Sequence, residues 1–158
     1  MKYNSKDRLF EVFNKVNNIK LNENIETDNS LNSEGESIID DFIHFVDSEL
    51  VLNGNLPEIE YSYDENEASE NKSFGGYMPS DKKIRIILIK RNLADSLRSL
   101  AHELVHHKQN IDGRIKSDED GKTGSEIENE ANAKAGILMR NYGKINPKIY
   151  KIMFHENI

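Results

Sequence analysis

The stretch Asn92–Gln109, NLADSLRSLAHELVHHKQ, decides the fold, because its apolar and polar residues separate by a helical period. At 100° per residue, Leu93, Leu97, Leu100, Ala101, Leu104 and Val105 gather on one side. That side predicts a core contact. His102, His106 and Gln109 fall within about 60° of one another on the opposite side, together with Asp95 and Ser99. The histidines therefore face solvent or a cleft. An i, i+4 pair of histidines can place two imidazole nitrogens on one ion, while Glu103, turned by about 100°, can reach a water on that ion. A charged, solvated helix face can spell the same His-Glu-x-x-His pattern by accident, so a third protein ligand has to be found.

Three glutamates on the next helical segment, Glu126, Glu128 and Glu130, are candidates. Ile127, Ala131, Ala135, Leu138 and Tyr142 form the apolar stripe of that segment, which spans about Ser125 to Tyr142. Glu128 borders the stripe, with Asn132 beside it, and Glu126 and Glu130 point nearly the other way. Glu128 is thus the inward carboxylate. Burying it is expensive unless a cation compensates, and a divalent metal would do so. Ala131, Ala133, Ala135 and Gly136 allow close approach to another element, and Asn132 is placed to bond a ligand histidine.

Upstream of the histidine helix the period changes. Ile59, Tyr61 and Tyr63 alternate in EIEYSYD, SFGGYM is short and broken by glycine, and KIRIILIK sets Ile84, Ile86 and Leu88 opposite Arg85, Ile87 and Ile89. A small, mainly antiparallel sheet is expected. FGGYMPSD is open to two readings, a turn or bulge, and an edge over a cleft where an extended substrate could pair. From Glu36 to Leu52, Ile38, Ile39, Phe42, Phe45, Val46 and Leu50 predict a core-facing helix, with His44 at its rim or in the core. Leu9, Phe10, Val12, Phe13 and Val16 predict a short amphipathic helix, followed by a polar linker over Asn17–Glu36. The chain thus divides into residues 1–35, an appended helix and linker, and a domain over residues 36–158. A closing helix is expected from Asn146 as N-cap with Pro147 at its first position. His107 reads as a partly exposed neighbour of His106.

A chain of 158 residues can bury a real core without help from a metal, so a metal site here would be functional. With no cysteine, thiolate ligands, a cysteine nucleophile and disulfides are excluded, and His, Asp or Glu must hold any transition metal. The formal net charge of −7 argues against a nucleic-acid partner. Between Lys20 and Lys72 lie 15 acidic residues and no basic one, which leaves 13 acidic residues against all 21 basic ones elsewhere. This asymmetry reads as two solvated faces of opposite bias. No apolar run approaches the roughly 20 residues of a membrane span, and the N-terminus lacks a secretory core. No membrane partner and a cytoplasmic location are expected.

HELVH, followed 22 residues after its second histidine by ENEAN, resembles the gluzincin type of zincin metallopeptidases. The nearest wording is that of ImmA/IrrE-like proteins of phages and mobile elements, and AHELVHHKQ is similar to small phage-encoded metallopeptidases. The resemblance covers residues 73–142. It implies an α+β zincin-like domain, with a small sheet packed on the histidine helix and the Glu128 helix across from it. It implies Zn2+ held by His102, His106 and Glu128, with Glu103 as general base in peptide-bond hydrolysis. Asn132 stands where the family usually has Asp. A Tyr or His donor for the oxyanion is also implied, and Tyr77, Tyr142, Tyr150 and His155 are available. The implied partner is a peptide or protein substrate. The alternative is a catalytically silent zinc-binding structural or regulatory protein, for example a virion component. Residues 1–35 are open to three readings, an inhibitory propeptide, a docking peptide for an assembly such as a virion, or a disordered segment, and a phage-encoded chain is expected in the host cytoplasm or the virion.

Overall fold

A computed structural model describes residues 25–71, 73–88 and 91–154, so the helix expected within residues 1–16 lies outside the described residues. Helix α1 spans Ile25–Leu50 and begins well before the expected Glu36. The second part of the polar segment is therefore helical rather than a linker. No proline interrupts it, and adding turns to an anchored helix is far easier than nucleating a new one. The anchor is the face of Ile38, Ile39, Phe42, Ile43 and Val46, all buried, whereas His44, about 200° round from Phe42, is exposed and not a core or rim residue.

Strand β1 (Glu58–Ser62), the short helix α2 (Glu65–Asn71), strand β2 (Gly75–Met78) and strand β3 (Lys83–Ile87) follow. The sheet has the order β1-β3-β2. β1 runs parallel to β3, with Ile59 opposite Ile84, while β2 and β3 are antiparallel, with Tyr77 opposite Ile84. The sheet is therefore mixed, not mainly antiparallel. The connection from Ser62 to Lys83 is roughly 20 residues long and includes α2 and β2, which is ample for a parallel return. The tight turn before β3 then leaves β2 as an edge strand.

Helix α3 (Leu93–Ile111) starts where Asn92 accepts a hydrogen bond from the Asp95 amide at 2.8 Å. Its apolar stripe, Leu93, Leu97, Leu100, Ala101, Leu104 and Val105, is buried against α1, the sheet and helix α4 (Glu126–Ile145). The expected stripe of α4 is buried as well, from Ile127 to Tyr142. The Tyr142 ring meets Phe42 edge-on at 4.9 Å, and its hydroxyl donates to Asp41 Oδ2 at 2.7 Å. The chain does not close in the expected helix. Pro147–Tyr150 is a single 3₁₀ turn without a side-chain cap, after which Met153 bridges to Asn92 and the Leu93 amide donates to the Ile152 carbonyl. Ile152 and Phe154 are both buried, and two positions about 200° apart on a helix could not reach one core together. The result is an α+β arrangement, and among the described residues no helix is long and apolar enough to cross a membrane.

Candidate metal centre

α3 and α4 lie face to face, and their polar sides close on one point. His102 and His106 present their Nε2 atoms 3.0 Å apart. Glu128 Oε1 lies 3.2 Å from the first and Oε2 3.1 Å from the second. Glu128 is set by the start of its helix, because Ser125 caps it by accepting the Glu128 amide at 3.2 Å. Donor atoms around a tetrahedral zinc stand about 3.3 Å apart, given bonds of about 2.0–2.1 Å. These three atoms have that spacing, and they can hold a metal ion. Glu126 is exposed and outside the group.

The protonation pattern decides whether a cation is wanted. Gln109, buried one turn after His106, directs its amide NH2 to the Ile127 carbonyl at 3.0 Å and to Glu130 Oε2 at 3.1 Å. Its Oε1 therefore faces His106 Nδ1 at 2.8 Å, so that nitrogen must carry the hydrogen. A neutral His106 then points a lone pair from Nε2 at the Glu128 carboxylate. Two acceptors at this distance repel unless a proton or a metal sits between them. At His102, burial first and the neighbouring His106 second lower the pKa, against Glu128, so the Nε2 that faces Glu128 Oε1 is more readily matched there by a metal than by a proton. Asn132 of α4 lies beside His102 and acts in the opposite direction, favouring the charged ring. Gln109 holds the His106 ring by its Nδ1, the arrangement that orients metal-binding histidines.

Glu130 does not point away to solvent as expected. It receives Gln109 and also pairs with Arg114 and Lys134 at 2.6 Å each. The Lys134 contact, aided by Arg114 and Gln109 against partial burial, holds its carboxyl at about 2. A depressed folded pKa stabilises the protein above the ordinary carboxyl range and is lost as pH falls from about 4.5 to about 2. Glu130→Gln is expected to remove about 1–2 kcal/mol at neutral pH, allowing for solvent screening, and to flatten that acid limb. Urea unfolding measured from pH 2 to 7 checks this.

Glu103 lies beside the three donors, 8% exposed, and makes no hydrogen bond or ion pair with any described residue. Burial, with a smaller contribution from Glu128, pushes its carboxyl up to about 8. Gly75 of β2 makes room for it. A Cβ there would lie 3.2 Å from Glu103 Oε1 and 3.1 Å from Ile86 Cδ1. Gly75 is therefore a close-approach glycine in a strand rather than a turn or bulge.

His107 is not the partly exposed neighbour expected. It is fully buried, and its Nε2 donates to the Asn55 carbonyl at 2.7 Å. Nδ1 is then an acceptor for the Tyr77 hydroxyl at 3.0 Å, and that hydroxyl accepts from Asn110 at 2.8 Å. The network ties β2 to the end of α3. It also occupies Tyr77, as Asp41 occupies the buried Tyr142, while Tyr150 lies against Gly143 near the far end of α4. Of the four oxyanion candidates, Tyr142 and Tyr150 do not line the cavity of the donors, Tyr77 lines it with its hydroxyl engaged by His107 and Asn110, and His155 lies outside the described residues.

The donors open into a cavity of about 640 Å³, walled by Tyr77 and Pro79 on one side and by Ile115, Lys116 and Ser117 on the other. Asp120 Oδ2 accepts the amides of Lys116 and Ser117 at 2.7 and 3.0 Å, which fixes this second wall. The missed partners, Gln109 and Glu130, left a faint signal in the sequence: a glutamine three residues after a candidate ligand, on the same helix side. No family model, curated protein or solved structure matches the chain.

Proposed function

We propose that the chain is a zinc-dependent metallopeptidase in which His102, His106 and Glu128 hold the metal and Glu103 is the general base. One observation carries the reading: three lone-pair donors from two helices converge beside a buried carboxylate that has no partner of its own. Two imidazoles and a carboxylate are a catalytic zinc set, and the cavity leaves a fourth position accessible. When bound, zinc supplies an acidified water and a Lewis acid for a carbonyl oxygen. Glu103 takes the proton of the attacking water and returns it to the leaving amine. Its buried position beside the donors, with no partner for its carboxyl, supports that role, since no other group competes for the proton it would take.

β2 is the edge on which an extended substrate would lie. Ser73 Oγ now engages the outward amide and carbonyl of Gly75, at 3.3 and 2.6 Å, and would turn aside as the substrate backbone takes those groups. The test is a mixed peptide library near pH 7 with protein shown to hold close to one zinc per chain. Absence of cleavage by that protein would favour the non-catalytic zinc protein instead. Gly75→Ala is expected to lower turnover by roughly 10-fold with zinc retained, because its methyl makes Glu103 Oε1 and Ile86 Cδ1 give way by a few tenths of an ångström and a reacting group is sensitive to small misplacements. The kcat/KM of the zinc-loaded variant against wild type checks this.

A further inference from the structure

A second cavity, of about 310 Å³, opens on the His102 side of the donors and shares Gly75, His102 and Glu103 with the larger one. Its outer wall is Phe74, Arg98 and Asn132. Arg98 is exposed there and has no hydrogen bond or ion pair with any described residue. Phe74 is 47% exposed, and the Arg91 guanidinium lies 4.4 Å above its ring. Arg91 directs its hydrogen bonds to neutral acceptors, the carbonyls of Ile87 and Asp95 and the hydroxyl of Ser99. This end of the cleft therefore has two guanidinium groups without a carboxylate partner at hydrogen-bond distance.

Other basic residues of the fold contrast with this pair. Arg85 is bound by Glu60 and Glu67, Lys108 by Asp112, and Arg114 by Glu130. At the opposite end of the cleft, Lys116 is offset by Asp120, whose carboxylate takes its backbone amide. Arg98 thus stands unpaired beside an apolar ring and an amide side chain that can receive a substrate residue, while Asp95 acts on the neighbouring Arg91. A guanidinium free to fork onto a carboxylate discriminates against its neutral isostere.

We infer that the cavity beside His102 takes a carboxylate-bearing residue of the substrate, with Arg98 as the specificity-determining residue. This rests on the peptidase reading for its consequence in turnover, but it concerns binding and can be tested separately. The probes are fluorescent short peptides that differ only in a central Glu or Gln, both amidated, and a third with central Gln and a free C-terminus. Anisotropy titrations use zinc-loaded Glu103→Gln protein, which binds without turning over, with and without Arg98→Gln. Either carboxylate peptide is expected to bind about 10-fold tighter than the neutral one, a preference that shrinks at high salt and vanishes with Arg98→Gln. The arm that shows it separates a side-chain from a terminal carboxylate. Equal binding of all three, no binding at all, or a preference that survives Arg98→Gln overturns the inference. Wild-type protein incubated with the same peptides reports on the peptidase reading alone, since carboxylate-selective binding without cleavage would leave Arg98 assigned and the hydrolysis refuted.

Discussion

Glu103→Gln protein is expected to keep its zinc and to lose about 10³-fold or more of its turnover, within the range that a positioned general base supplies. Zinc is retained because the donor atoms belong to His102, His106 and Glu128, and the substitution touches none of them. Gln fills the same volume but cannot accept the proton of the attacking water. A second effect has the opposite sign. The carboxyl of Glu103 stands at about 8 in the metal-free fold against 4.5 for an ordinary glutamate, so the folded state holds a proton that the unfolded state releases. Stability therefore falls as pH rises from about 4.5 to about 8. Gln does not titrate, so the metal-free variant is expected to melt higher than wild type at pH 8 and at nearly the same temperature at pH 4. Thermal melts in chelator at both values check this. A residue that destabilises the fold while supporting turnover is one kept for its chemistry. A variant that loses zinc, or that cleaves at the wild-type rate, would sink the assignment.

The helical parts of the fold and of the site were legible in the sequence because an α-helix is read locally. The stripes of α3 and α4 and the inward position of Glu128 follow from 100° per residue, and the structure brings Glu128 within 3.2 Å of both histidines. What depended on a distant partner was not legible. Nothing in EIEYSYD or KIRIILIK distinguishes a parallel neighbour from an antiparallel one, since the alternation of side chains is the same in both. His107 read as a partly exposed neighbour because its partners, Asn55 and Tyr77, lie 52 and 30 residues away in the chain. Glu130 looked outward on the wheel of its own helix and is covered by residues of two other segments, Gln109 and Arg114. The closing segment carried the signature of a helix start, yet burying both Ile152 and Phe154 required an extended chain.

His106→Ala is expected to abolish stoichiometric zinc binding and Glu128→Gln to weaken it by orders of magnitude, whereas Glu126→Gln and His107→Ala leave it nearly intact. Two of three protein ligands remain in the first variant, too few for a catalytic zinc site. His106→Ala also strands Gln109 Oε1 in a buried position and costs roughly 1–3 kcal/mol, so its fold has to be verified by circular dichroism. Gln109→Ala separates the two effects. It leaves every donor in place but frees the ring of His106, and a loss of about 10- to 100-fold in zinc affinity is expected from a lost orienting contact. His107→Ala supplies the converse, a drop in melting temperature from the broken link to Asn55 and Tyr77 with zinc retained. Chelated wild type is expected to keep its helical signal, because the stripe from Leu93 to Leu104 is buried against α1, the sheet and α4 whether or not the metal is present. Full zinc in His106→Ala, or loss of zinc in His107→Ala equal to that in Glu128→Gln, would show that the ion sits elsewhere on α3.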